Sequence, residues 1–445
     1  MPDAPHEKTS ASVASAGLPE ASPGVEKELR NTGIDPDRLS IFKFGQKQLL
    51  GKPALSSWIK RTLFALGLWL SAHLIGLAGI ELAEYVQAAL ALIIGLIIIQ
   101  SACEAMITAT ERLAARLHWN HYVAGTVVEI LSTLPELAVI VFIIPVSPLM
   151  AFVIALITIY NNALVFSLYS YFLPKNRQGK YLMPTPITEA GTQILIGGAA
   201  MGLILGLVML AFASTSGAKN SFAPIDMIFI GVILSAIFVV YLYKLVSNYS
   251  DEEAEVRESL GMSQEDIEQR LRLVYEHVEK TSFPAIAGIF IVALLGSLLG
   301  GDQVSIFATT MLRDMEINIV LTALLLAVFA GMSEYVILWK SHKKKEYGIA
   351  LANAFGGITQ VMFLVLPFTL VSIAAYQVFI NNDHAALPIQ FSLTNIFLLL
   401  FLFPTFYTLS ALLEEDHTLG ILDTVIMVGI ILFLIVLLVT YGAAS

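Results

Sequence analysis

From residue 60 onward the chain is a succession of apolar runs of 20 residues or more, parted by short polar breaks. As a helix, each run is long enough to cross the roughly 30 Å hydrocarbon core of a bilayer. The pattern predicts eleven spans, at 62–83, 87–115, 121–145, 148–173, 188–213, 226–247, 283–312, 317–339, 346–380, 392–413 and 419–443. "GGDQ" interrupts the seventh. The fold class expected is an all-α integral membrane protein.

Polar positions inside these runs are few and patterned. In the third span, "EILSTLPELAVI" places Glu129, Ser132, Thr133 and Glu136 at i, i+3, i+4 and i+7, on one helical face. A carboxylate at the bilayer centre opposes insertion by on the order of 2.5 to 3.5 kcal/mol. Such a stripe therefore has to face the protein interior or a water-filled cavity. Pro135 lacks an N–H and obstructs the carbonyl of Leu131, so the helix is expected to open around Ser132. In the eighth span, "FAGMSEY" has Gly331 and Ser333 in place of a proline, beside a second intramembrane carboxylate, Glu334.

An offset of 198 residues brings the two regions into register. It carries Glu136 onto Glu334, Glu104 onto Asp302, Asn120 onto Asn318, Asn161 onto Thr359 and Asn162 onto Gln360. Glu129 falls opposite Ala327 and has no mate. Five spans separate the copies, so one copy runs outward where the other runs inward. Two inverted five-helix repeats, at 87–247 and 283–443, follow an extra N-terminal helix at 62–83. Secondary transporters build a midplane site at such a pseudo-two-fold axis.

Charge adds orientation. The segment before the first span holds Lys43, Lys47, Lys52, Lys60 and Arg61, and the alternate loops carry Arg112 and Arg116, then Lys175, Arg177 and Lys180, then Lys340 and Lys343 to Lys345. Basic residues in short loops stay in the cytoplasm. The N-terminus and the acidic connector 248–282 are therefore expected inside, the C-terminus outside, and the protein in a cell (inner) membrane. Residues 1–57 read as a disordered cytoplasmic tail without the apolar core of a cleavable signal. In the connector, Ser263 and Asp266 have capping-box spacing for a short helix over 264–279, and no EF-hand loop is present.

Of the 445 residues, 57% are hydrophobic and 13% charged, against about 25% charged in soluble domains. Mean hydropathy is +0.77. The net charge of -10 lies largely outside the spans, and no basic patch interleaved with aromatics gives nucleic acid a footing. A single cysteine, Cys103, excludes an intramolecular disulfide and a multi-cysteine metal site.

Glu136 and Glu334 from opposed helices, the amides of Asn162 and Gln360, the hydroxyls of Ser132 and Thr133 and the carbonyls freed at the breaks form an all-oxygen shell. Hard donors of this kind suit calcium, whereas borderline metals prefer His or Cys. A carboxylate away from water holds a proton more readily and a bound divalent cation opposes that. Protons and the cation thus compete for the same groups, the minimal chemistry of an antiporter. For Glu104 and Asp302 the roles of ligand, gate and packing pair stay open, and for Glu129 those of proton relay and satisfied interior glutamate. Asn161 and Asn353 read as helix–helix hydrogen-bonding residues. His384 and Asp383 read as a solvated outer turn.

"TLPELAV" resembles the first repeat of the cation/calcium antiporter superfamily in its sodium/calcium exchanger form. "NAFGGITQVMFLVLP" is similar to the second repeat of calcium/proton exchangers. The resemblance covers 62–443 and implies that Glu136 and Glu334 bind the cation and exchange protons, with Asn162 and Gln360 beside them. Leu131-Ser132 stand where sodium/calcium exchangers have Gly-Thr, "FAGMSE" where they have Gly-Thr-Ser-x-Pro-Glu, and Gln360 is not Asp. Fewer hydroxyls point away from separate sodium sites. The expected function is calcium/proton antiport by alternating access, with spans two and seven moving past a fixed core. Sodium/calcium or monovalent cation/proton exchange on the same scaffold is the near rival; an intramembrane protease or a channel is the remote one. No enzyme activity and no organic cofactor are expected. The partners implied are the lipid bilayer, the transported calcium ion and counter-moving protons, with homo-oligomerisation open.

Overall fold

The computed structural model describes residues 57–77, 83–117, 130–131, 133–176, 178–183, 187–215, 220–259, 282–315, 317–343, 347–380 and 389–441. Within them the chain is almost wholly helical. In order come α1 (Ser57–Leu77), α2 (Glu84–Arg116), α3 (Leu134–Ile143), α4 (Pro148–Tyr171), α5 (Thr192–Ala213), α6 (Pro224–Ser259), α7 (Phe283–Thr309), α8 (Ile319–Ala330), α9 (Met332–Lys343), α10 (Tyr347–Gln360), α11 (Leu366–Phe379), α12 (Leu393–Leu400), α13 (Leu402–Glu415) and α14 (Ile421–Tyr441). Eight continuous helical segments among the described residues are long and apolar enough to cross a membrane, and α3 and α8 are shorter apolar helices.

The 198-residue offset maps helix onto helix. It carries the start of α3, Leu134, onto the start of α9, Met332, and the end of α2, Arg116, onto Asp314, where the π turn after α7 ends. Helices α2 and α7 pack along each other. Gly95 meets Gly300 and Val304 while Gly296 meets Ala102, so numbers rise on one helix as they fall on the other. That antiparallel contact is what inversion of the repeats requires.

α4 is the axis of the molecule. Its span is 83% buried, against 22% for α6, and it packs on α8, α10, α11 and α14. Its burial follows from composition: "PLMAFVIALITIYNNALVFSLYSY" is apolar on every face except at Asn161-Asn162. Such a helix needs neighbours all round. Helices α6, α7 and α14 leave most of their apolar surface outward, where lipid would cover it.

Two short backbone pairings stitch the repeats together. Tyr181–Leu182 (β1) pairs antiparallel with Thr418–Leu419 (β2), and Ser221 bridges Gln390. Each joins a loop of the first repeat to a loop of the second. Paired loops must share a membrane side, and with the predicted span order the loops at 181 and 418 fall on one side and those at 221 and 390 on the other.

Several span edges differ from expectation. The first helix starts at Ser57 instead of 62 and ends at Leu77, and it includes Arg61, which pairs with Glu104 of α2. The sixth does not stop at 247 but continues to Ser259, because "SDEEAEVRES" is rich in helix-favouring Glu, Ala and Arg. The expected helix at 264–279 lies outside the described residues. "GGDQ" does not interrupt the seventh span, since Gly300 faces α2 and Gly301 faces Ala138 and Phe142 of α3. The tenth is two helices joined at Phe401. Pro404 has no N–H for the carbonyl of Leu400, and the Leu398 carbonyl accepts from the Tyr160 hydroxyl. In the ninth, a π turn over Val361–Val365 precedes Pro367, which likewise leaves the carbonyl four residues back without its usual donor.

Candidate functional site

Both glutamates of the repeat stand at the third residue of a helix that begins immediately after a break. Thr133 is a turn residue, its hydroxyl donating to the Ile130 carbonyl at 2.7 Å, and α3 then starts with Leu134-Pro135-Glu136. At the matched position Gly331 caps α8, and α9 then starts with Met332-Ser333-Glu334. The Leu137 N–H donates to the Thr133 carbonyl at 3.1 Å and the Tyr335 N–H to the Gly331 carbonyl at 3.1 Å. The two breaks are therefore equivalent in the backbone. At a helix N-terminus, unpaired N–H groups and the macrodipole favour negative charge. Each carboxylate sits where a buried anion is least disfavoured.

The second layer comes from the buried helices. Asn162 of α4 is 1% exposed and Gln360 of α10 is 4% exposed. Neither end of the Asn162 amide has a hydrogen-bond partner, and neither has Oε2 of Glu136. An unsatisfied buried polar group costs about 1–3 kcal/mol, so three such atoms together mark a place built for something polar. Glu334 meets Asn162 across Gly357: a Cβ there would lie 2.7 Å from Glu334 Oε2 and 2.9 Å from Asn162 Nδ2. Both carboxylates are within electrostatic reach of the Tyr335 hydroxyl. Asn353 donates to the Glu334 carbonyl at 3.4 Å.

Other expected positions are placed elsewhere. Glu104 pairs with Arg61 of α1 at 2.6 Å, half-exposed, and Asp302 accepts from its neighbour Gln303 at 3.2 Å. Asn318 caps α8, its Oδ1 accepting from the Val320 N–H at 2.8 Å. Asn161 bonds the Tyr335 hydroxyl and the Ala327 carbonyl. Glu129, Ser132, Asn120, Asp383 and His384 lie outside the described residues. Among the described residues no three His, Cys, Asp or Glu side chains gather as a metal cluster.

Two residues of this arrangement were not singled out from sequence. Gly357 lies inside "NAFGGITQ", where the paired glycines were the available signal. Tyr335, next to Glu334, carried none, because an aromatic in an apolar run reads as packing.

Residues 285–441 match the family model described as sodium/calcium exchanger protein, 157 of the 445 residues. Among solved structures the chain is similar to that of the H+/Ca2+ exchanger CAX, with TM-score 0.59, 13% identity, and 87% of this chain and 89% of that one covered. It is also similar to the structure of native YfkE, with TM-score 0.52, 12% identity, and 85% and 98% covered. No curated protein sequence matches the chain. At 12–13% identity the likeness to the two exchangers is one of fold.

Proposed function

We propose that this protein is a member of the cation/calcium antiporter superfamily that exchanges calcium for protons by alternating access, with Glu136 and Glu334 as the groups that hold either cargo. What supports the proposal is that Glu136 Oε2 and both ends of the Asn162 amide are buried without partners, and that Glu334 and Asn162 meet beside Gly357. Calcium takes six to eight oxygens in irregular geometry. Two carboxylates, the Asn162 and Gln360 amide oxygens, the Thr133 hydroxyl and carbonyls at the two breaks supply that number. Without calcium, the same carboxylates return to charge balance by taking up protons. Ser132 belongs to the set by its position beside the first break, and Glu129, one turn before that break, serves as a relay from the aqueous side. Glu104 and Asp302 lie on the gating helices, where they act on opening and not on the cargo. The N-terminus and connector face the cytoplasm of a cell whose membrane holds the protein, as the basic loops require.

In proteoliposomes carrying an imposed proton gradient, calcium should move against the gradient, and sodium or potassium alone should not. Glu136→Gln and Glu334→Gln should each abolish that movement while leaving insertion intact. The match of the second half to sodium/calcium exchangers favours a second reading, sodium coupling. Calcium flux indifferent to pH and dependent on sodium would establish that reading and overturn the first.

A further inference from the structure

The two breaks share a backbone but are held open by different chemistry. In the first, Pro135 is covalent insurance that the helix restarts. The offset places Ser333 opposite Pro135, so the second break has no proline. Its turn is instead occupied by a side chain. A Cβ on Gly331 would lie 2.6 Å from the Tyr335 hydroxyl oxygen and 2.9 Å from its Cζ, so the phenol folds back over the break. There the hydroxyl accepts a hydrogen bond from Asn161 Nδ2. The same nitrogen donates to the Ala327 carbonyl at 3.4 Å, and that carbonyl also accepts from the Gly331 N–H at 3.2 Å. One amide thus ties α4 to the last turn of α8 and the first turn of α9. At the first break the offset places Leu137, Thr359 of the second repeat and Glu129 at the positions of Tyr335, Asn161 and Ala327. Leu137 has no hydrogen-bonding atom, so the arrangement cannot be repeated there.

We propose that Tyr335 and Asn161 form a clasp that replaces the missing proline and positions Glu334 for the cation. The proposal rests on Glu334 being a cation ligand. Tyr335 follows Glu334 directly, so fixing its ring fixes the first turn of α9. Asn353 holds the Glu334 carbonyl from α10, and Gly357 leaves room for the carboxylate. Loss of the clasp leaves the carboxylate present but loosely aimed. Cation affinity then falls while the steps that follow binding continue.

The test is calcium flux in proteoliposomes for wild type, E334Q, Y335F, N161A, the Y335F/N161A double variant and Y335F/S333P. Y335F should raise the KM for calcium by about 2- to 10-fold, the effect of one lost hydrogen bond, with turnover within about twofold of wild type. The double variant should be no worse than the poorer single, because both remove the same contact. Proline is tolerated in the first turn of a helix, so S333P should return the KM of Y335F toward wild type. A residue that touched the cation itself would not be rescued by a backbone substitution. Should Y335F fail to insert, N161A paired with S333P makes the same comparison. If E334Q transports normally, the reading of the site fails. If E334Q is inactive but Y335F and N161A keep the wild-type KM, or if their effects add and S333P restores nothing, the clasp is overturned and the site stands.

Discussion

Two helix seams in this protein use glycine to opposite ends. Along the α2–α7 seam, a Cβ on Gly95 would lie 2.9 Å from the Gly300 carbonyl oxygen, and one on Gly300 would lie 3.0 Å from that of Gly95. The two backbones approach closely there, with Ile99 Cγ1 nearer still, 2.6 Å from a Cβ on Gly300. On α5, Gly198, Gly202 and Gly206 form a stripe at four-residue spacing, and each is filled by a large side chain: Phe406 and Phe363, then Leu402, then Leu400. Small residues let membrane helices approach closely in both cases. In the first seam each glycine meets the other helix's backbone as well as its side chains. The second is a row of knobs in holes, and the strand pairing and the Ser221–Gln390 bridge fasten its helices at the loops. We propose that the first pair is the one that moves during alternating access and that the second belongs to the fixed core.

The sharpest way to break that comparison is to fill one hole in each seam. Gly202→Val should have the largest effect. Its Cβ would lie 2.6 Å from that of Leu402 and 2.9 Å from the Leu399 carbonyl oxygen, neither of which can yield. Overpacking a tight interior costs about 1–3 kcal/mol, and thermal unfolding in detergent should show the variant melting well below wild type. Gly300→Ala should melt close to wild type, because two helices can part slightly as rigid bodies. Its turnover should fall about tenfold, the effect of ~1.4 kcal/mol on a barrier, with the KM for calcium unchanged. Equal melting losses and equal turnover per folded molecule would erase the distinction.

Smaller changes sharpen it. Arg61→Ala removes a partner of Glu104 and with it one polar tie between α1 and α2. Partly exposed pairs contribute about 0.2–1 kcal/mol, so melting should hardly change while turnover shifts by about twofold or less. The smallest effect belongs to Asp416→Asn at the loop clamp. Its hydrogen bond from Lys180 holds the Asp416 carboxyl below its ordinary value of 3.8, and Asp416 raises the Lys180 ammonium above 10.5. The aspartate's contribution is therefore present above pH 3.8 and is lost as pH falls through the lowered value. The lysine's is present below 10.5 and lost as pH rises through the raised one. Melting of wild type and D416N should differ slightly at neutral pH and converge in strong acid.

The parts legible in sequence are those carried by periodicity and by residues with one physical meaning. Proline marked the first break, the 198-residue offset located its partner, and both glutamates stood out as carboxylates in apolar runs. Gly331 announced the second break only weakly, because a glycine in a helix has several uses. What holds that break open was not legible, since the return of the Tyr335 ring over Gly331 and its bond to Asn161 depend on α4 lying beside α9. Arg61 and Glu104 are 43 residues apart, and nothing local links them. The extension of α6 to Ser259 was missed because a hydropathy pattern ends where the membrane does, whereas helix propensity does not.

The central claim is that calcium and protons compete for Glu136 and Glu334. The direct test is proton release on adding calcium to the purified protein in weakly buffered detergent, followed with a pH-sensitive dye. The wild type should release protons as calcium binds, with apparent affinity falling as the solution is made more acidic, and the E136Q/E334Q variant should release none. Calcium binding without proton release, at an affinity that does not change with pH, would contradict it.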